Sequence, residues 1–166
     1  MQNTTTNLSA QFVEAMAAAA SGVSIVTTAA NGQRLGLTVS AVTSVSAEPP
    51  LLLACINRKS LIVEGITQSG FFAANLLSVK QVPLAKIFSG RPEHGPAYDF
   101  GAADWREGQG GVPVLEHAAA TFEAQLHQWH DAGTHRIFVG EVLAASISGL
   151  TTLAYHHRTF GRFQAF

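Results

Sequence analysis

Cysteine is nearly missing from this chain: Cys55 stands alone among 166 residues. That excludes an intrachain disulfide framework and suits a reducing compartment, so the protein is expected to be cytoplasmic. Charge is scarce as well. Asp, Glu, Lys and Arg make up 13% of the residues and the net charge is −1, which removes the electrostatic case for nucleic acid or an anionic membrane as partner. Long hydrophobic runs are lacking; Leu51–Ile56 is typical and falls far short of a bilayer span. The opening MQNTTTNLSAQ has no basic residue and no adjacent apolar core, so no secretory signal is expected there. No G-x-G-x-x-G joins a strand to a helix, and the glycine-rich run 108–111 lies in a loop, which argues against a Rossmann unit. Seven histidines are present without a cysteine or carboxylate cluster beside them. His127 and His130 are expected on opposite faces of one strand, and only one of His156 and His157 can face a site, so a structural zinc is rejected.

What the chain does have is apolar surface. Hydrophobic residues reach 47%, and with so little charge a buried subunit interface is expected, an apolar ligand cleft being a second contributor. Residues 1–7 read as a polar, disordered tail and 8–166 as one domain. Leu8–Ala20 is expected to be helical, with Leu8, Phe12, Val13, Met16 and Ala19 on one face and Gly22 as its stop. Val23–Thr28 reads as a strand, Asn31-Gly32 as a hairpin turn, and Arg34–Ser46 as alternating strand that breaks at Ala41-Val42. Leu51–Asn57 follows Pro49-Pro50 as a buried strand. Ser60 is placed to cap a short helix reaching about Gln68, with Glu64 near its positive end. Phe71–Leu77 returns as a strand, and Val82–Phe88 is a helix with Pro83 in its first turn. Ser89–Gly111 is a long Gly- and Pro-bearing loop of the functional or interfacial kind. Ala118–His130 and Thr134–Ile147 are long strands joined at Asp131–Gly133, and Thr151–His156 is a last one. Hairpin-joined strands with a few short helices argue for a closed or split antiparallel barrel.

The most informative stretch is Gly36–Ser60, GLTVSAVTSVSAEPPLLLACINRKS. Short hydroxyl residues meet a double proline and then an apolar strand ending in Cys55-Ile56-Asn57-Arg58. Such a segment offers many short donors beside irregular backbone, fit for a flat polar ring and a phosphate. Asn57, Arg58, Lys59 and Ser60 combine a guanidinium, an ammonium and a hydroxyl ahead of a helix start, the chemistry that favours anions. Ser89 and Arg91 are a second candidate phosphate contact. Cys55 is read as a small hydrophobe rather than a redox thiol.

These residues resemble the short-chain flavin reductase family, the NAD(P)H:flavin oxidoreductases that serve two-component monooxygenases such as those acting on 4-hydroxyphenylacetate and chlorophenols. The shared pattern runs Phe12-x-x-Ala15-Met16, Val23–Thr28, Gly36–Ser46, Pro49-Pro50 and Cys55–Arg58, then Phe72–Ser78, Phe88-Ser89-Gly90, Gly133-Thr134-His135, Val139–Val142 and Tyr155-His156-x-Arg158. It covers roughly Phe12 to Phe163. Many members carry Gly-Asp-His where this chain has Gly133-Thr134-His135, so a carboxylate is absent there or moved.

The resemblance implies a mainly β split barrel of the FMN-binding flavin reductase type, a cytoplasmic homodimer, and FMN or FAD together with NADH or NADPH. Flavin contacts carry over to Thr38, Val39, Ser40, Ala41, Ser44, Ser46, Cys55, Ile56, Asn57, Arg58, Ser60, Phe88 and Ser89. In that reading Thr38–Ala41 meet the ring edge, while Ser44 and Ser46 lie toward the phosphate-bearing end. Nucleotide contacts carry over to His135, beside the nicotinamide, and to Tyr155, His156 and Arg158 at the last strand. No catalytic side chain and no metal are implied, because hydride passes between stacked rings, and a separate monooxygenase would receive the reduced flavin. Two readings stay beside this one: a non-catalytic split barrel binding flavin or haem, and an oxidase of pyridoxamine phosphate type, which would need a more basic phosphate site.

Overall fold

The computed structural model describes residues 3–166. It has helix α1 (Asn3–Ala17), strands β1 (Ser21–Gly22), β2 (Ser24–Ala30), β3 (Gln33–Val39), β4 (Val42–Ala47) and β5 (Pro50–Asn57), and helix α2 (Leu61–Ser69). Then come β6 (Phe71–Leu76), α3 (Val82–Phe88), β7 (Trp105–Glu107), β8 (Pro113–Leu115), β9 (Ala120–Ala132), β10 (His135–Ile147), β11 (Leu153–His156) and β12 (Thr159–Arg162). Of the segment expected to be a tail, residues 1 and 2 lie outside the described residues, and α1 begins at Asn3.

Asn31 and Gly32 both take positive φ, 52° and 74°, as a two-residue hairpin turn with right-handed twist requires. They fold β3 back on β2. The main sheet has seven antiparallel strands in the order β3-β2-β6-β9-β10-β5-β4. Its two edge strands, β3 and β4, are consecutive in sequence and separated only by Ser40-Ala41, so the sheet curls until its edges meet there. The break foreseen at Ala41-Val42 is thus the seam of a split barrel. A further bulge between Ser44 and Ser46 shifts the β4–β5 register.

The strand β5 is two-faced rather than uniformly buried, as its apolar run had suggested. Leu52, Ala54 and Ile56 point inward, whereas Leu51, Leu53 and Cys55 are half-exposed. Inside the barrel they meet Val26, Val39, Phe72, Ala124 and Phe138, and α2 plugs one end with Ile62, Val63 and Ile66. Each fully buried aliphatic or aromatic side chain contributes roughly 1.5–3 kcal/mol of transfer free energy. A second core lies under α3, where Leu84, Ala85 and Phe88 pack on Val23, Ile25, Leu77, Leu115 and Leu153. Gly36 allows β3 to lie directly on it: a Cβ there would sit 2.7 Å from the Phe88 ring.

Buried Asn75 ties these layers together. Its Nδ2 donates to the Ile25 carbonyl at 2.9 Å and to Thr27 Oγ1 at 3.2 Å, and its Oδ1 accepts from Leu115 N at 2.8 Å. The long loop is likewise held at a buried carboxylate. Glu123 accepts from Arg106 Nη2 at 2.6 Å and from Gln109 N at 2.8 Å. No helix among the described residues is long and apolar enough to cross a membrane.

Candidate functional site

The seam between β3 and β4 opens onto a cleft of about 550 Å³ lined by Thr38, Val39, Ser40, Ser89, Tyr155 and Arg158, with Lys86, Arg91, Glu93 and Phe160 completing it. The helix α3 supplies one wall and the β11–β12 hairpin another. Thr38 Oγ1 donates to the Ala85 carbonyl at 2.8 Å, fixing β3 to α3, so its proton is committed and its lone pairs are what face a ligand. Ser89 Oγ turns back to the Lys86 carbonyl at 2.9 Å. The Tyr155 ring leans on Phe160, with centroids 5.2 Å apart and planes 57° to each other, giving the cleft an aromatic side.

Charge in this cleft is mixed. Lys86 forms an ion pair with Glu93, and Arg158 Nη2 reaches Glu14 Oε2 of α1 at 3.1 Å. The Lys86 hydrogen bond and its charge hold the Glu93 carboxyl below the usual carboxylate range. Arg158 and His157 form the two-residue turn between β11 and β12, both at positive φ, 60° and 45°. Arg158 therefore sits at a turn, not on the last strand. His156 is exposed beside His157, ring centroids 4.2 Å apart, and does not join the lining of this cleft.

From the seam the track continues along the outer face of β5. Cys55 N donates to the Ala41 carbonyl at 2.9 Å, and two residues on, Asn57 stands on the same face. Burial raises the Cys55 thiol pKa, which fits an inert, half-buried side chain. Asn57 is the cross-strand partner of His135, so the predicted flavin and nucleotide residues meet there. Asn57 Oδ1 accepts from Lys59 N at 3.0 Å, and Ser60 N donates to the Asn57 carbonyl at 2.9 Å. Ser60 stands at the N-cap position of α2 but makes no cap hydrogen bond, leaving its hydroxyl for other partners. Arg58, Lys59 and Ser60 line a pocket of about 730 Å³ with Gly133, Thr134 and Arg136. Arg58 is steered by Gly133 O at 3.4 Å and Asp131 Oδ2 at 3.4 Å. Thr134 Oγ1 lies 2.9 Å from His135 Nδ1, occupying that ring nitrogen.

Other expected residues stand apart from this track. Ser44 and Ser46 line a third cavity of about 410 Å³ with Val42, Leu52, Leu76, Phe122 and Val142 and no cationic side chain, a poor setting for phosphate. Ile56 and Phe88 are fully buried. Ile56 points into the barrel, and Phe88 packs edge-on against Phe100 and Trp105 at 5.0 and 5.6 Å, so neither offers a ligand surface of its own. Lys86, Glu93, Asp131, Arg136 and Phe160 were missed by sequence reasoning. A helical period would have found Lys86, which lies one turn before Ser89; the others come together only through tertiary pairing.

A model of the flavin reductase-like domain matches residues 16–164. A probable flavin reductase of Rhizobium meliloti (strain 1021) is 41% identical over 143 residues, 86% of this chain and 45% of that protein, so the chain matches less than half of its length. The FMN reductase (NADH) RutF of Variovorax paradoxus (strain S110) is 37% identical over 152 residues, 91% of this chain and 83% of that one. Among solved structures, the flavin reductase PheA2 superposes with a TM-score of 0.86 at 33% identity, covering 94% of this chain and 98% of its own.

Proposed function

Because the chain belongs to the flavin reductase-like domain family, we propose that it is an NAD(P)H-dependent flavin reductase that supplies reduced FMN or FAD to a separate flavin-dependent monooxygenase. The observation that carries this is the pair of polar cavities at Thr38–Ser40 and at Asn57–Ser60, joined through the Cys55–Ala41 backbone hydrogen bond along β5, with His135 paired to Asn57. Its donor set fits the group: irregular backbone and hydroxyls in the middle, and cations at the Arg58–Ser60 end for a phosphate. When both are bound, the nicotinamide supplies a hydride from C4 to flavin N5.

The chain's own residues have positioning as their task. Backbone at Ser40-Ala41 and the Thr38 lone pairs orient a ring edge. Arg58, Lys59 and Ser60 hold a phosphate. Tyr155 and Phe160 give the nucleotide an apolar wall that excludes water. His135, its Nδ1 occupied by Thr134, would offer Nε2 to the nicotinamide amide. Contacts built from short hydroxyls and exposed cations favour loose binding, which suits a product that must leave. A cytoplasmic setting belongs to the same proposal, on the low cysteine content of the sequence. A homodimer is part of the same proposal, on the strength of the exposed apolar face of α1.

NADH and NADPH oxidation by the purified protein, with and without FMN, FAD and riboflavin, tests the reading. Flavin-dependent oxidation is expected; none with any pairing would leave only a binding module. At residue level, His135→Ala is expected to raise the nucleotide KM more than the flavin KM, and equal effects would remove His135 from the nicotinamide.

A further inference from the structure

The charges of the Thr38–Ser40 cleft exceed what holding a ring requires. Lys86 and Arg91 line it with one carboxylate, Glu93, while Arg158 at its rim is already paired with Glu14. Lys86 projects from the last turn of α3, a fixed platform whose neighbours Ala85 and Phe88 are fully buried. Glu93 reaches Lys86 from the loop beyond Gly90, and its side chain is 60% exposed while that of Lys86 is 33% exposed. Arg91 makes no side-chain ion pair among the described residues. A cation on a rigid helix is therefore met by a carboxylate on an open loop, with a second cation beside it. Exposed pairs of this kind contribute little to stability and exchange readily. A phosphate oxygen offers Lys86 the same acceptor chemistry as the carboxylate and can engage Arg91 as well.

We propose that Lys86 and Arg91 form a phosphate-binding site and that Glu93 is its exchangeable counter-ion, occupying Lys86 until a phosphate displaces it. Glu93 thereby sets the affinity of the cleft for phosphorylated ligands, against a background in which the cations alone would bind them more tightly. The inference rests on the reductase reading only for the origin of the phosphate, which is that of the flavin or of the nicotinamide nucleotide. The site itself requires no turnover.

Inorganic pyrophosphate is the probe, titrated into the full chain by calorimetry in low-salt buffer, since exposed charge interactions are screened by salt. Glu93→Gln is expected to tighten pyrophosphate binding by about two- to fivefold, the equivalent of losing one exposed ion-pair competitor. Lys86→Met is expected to weaken it and to abolish the gain from Glu93→Gln when the two are combined. Unchanged or weaker binding in Glu93→Gln would overturn the proposal, as would a gain that persists in the Lys86→Met background. These outcomes are independent of whether NADH is oxidised, so failure here and failure of the reductase reading are separable. In steady-state assays of Glu93→Gln, a lower KM for FMN but not riboflavin assigns the site to the flavin phosphate. A lower KM for NADH or NADPH assigns it to the nucleotide, and no change in any of them would overturn the site's role in the reaction.

Discussion

Asp131 links the two guanidinium groups nearest the Arg58–Ser60 pocket. Its oxygens accept from Arg136 Nε at 2.7 Å and Nη2 at 3.1 Å, and Arg58 approaches at 3.4 Å. Arg136 also lies over the Trp129 ring, 3.8 Å from its centroid. The hydrogen bond and charge of Arg136 hold the Asp131 carboxyl below the usual carboxylate range, with Arg58 adding to the effect. A carboxyl depressed on folding adds stability above its unfolded pKa and loses it as pH falls through the lower folded value. Asp131→Asn is therefore expected to melt below the parent at neutral pH and to converge with it in acid. A thermal-melt difference that stays constant from neutral to acid pH would exclude this role. The residues Arg58 and Asn57 were legible in the sequence because guanidinium, amide and hydroxyl crowd before a helix start. Asp131 was not, because its link to Arg58 exists only once β9, β10 and β5 are in register.

At the level of elements, the helices and most strands followed from periodicity and turn chemistry. Val82–Phe88 begins and ends where Pro83 and the apolar spacing place it, and Asn31-Gly32 forms the hairpin that its residue types dictate. The last strand was expected to end at His156, and β12 was missed because His157-Arg158 carries none of the Gly or Asn that left-handed turns favour. Likewise the β9–β10 pairing skips His127, as Gln128 pairs with Val139 and Leu126 with Gly140, so simple alternation does not fix the faces of His127 and His130. The His157-Arg158 turn implies a trade between stability and binding. A non-glycine residue in the left-handed region costs roughly 1–2 kcal/mol, and strain of this kind persists where it positions a functional side chain. Arg158→Gly is expected to raise or preserve the melting temperature while raising the nucleotide KM several-fold. A variant that melts lower with unchanged KM would assign Arg158 to its surface ion pair with Glu14 instead.

On the scale of the whole molecule, the low charge of the sequence corresponds to apolar surface that the single chain leaves uncovered. Helix α1 exposes Leu8, Phe12, Val13 and Met16 at 54–66%, and the barrel exposes Val45, Leu143 and Ile147, the last at 84%. Near these strands lies the apolar cavity lined by Val42, Leu52, Phe122 and Val142. Exposed apolar side chains this numerous are the mark of an interface rather than of a wetted surface, and composition alone could indicate their presence but not their location. In the proposed homodimer, Phe12→Glu and Ile147→Glu each place a charge into the buried contact. Both are expected to shift the sedimentation or light-scattering mass from two chains to one at micromolar concentration, with a lower melting temperature. A chain that functions alone would accept the same substitutions with little change, since both positions already face water in the monomer. A parent protein that sediments as one chain at tens of micromolar would therefore remove the dimer, while leaving the polar track and its chemistry untouched.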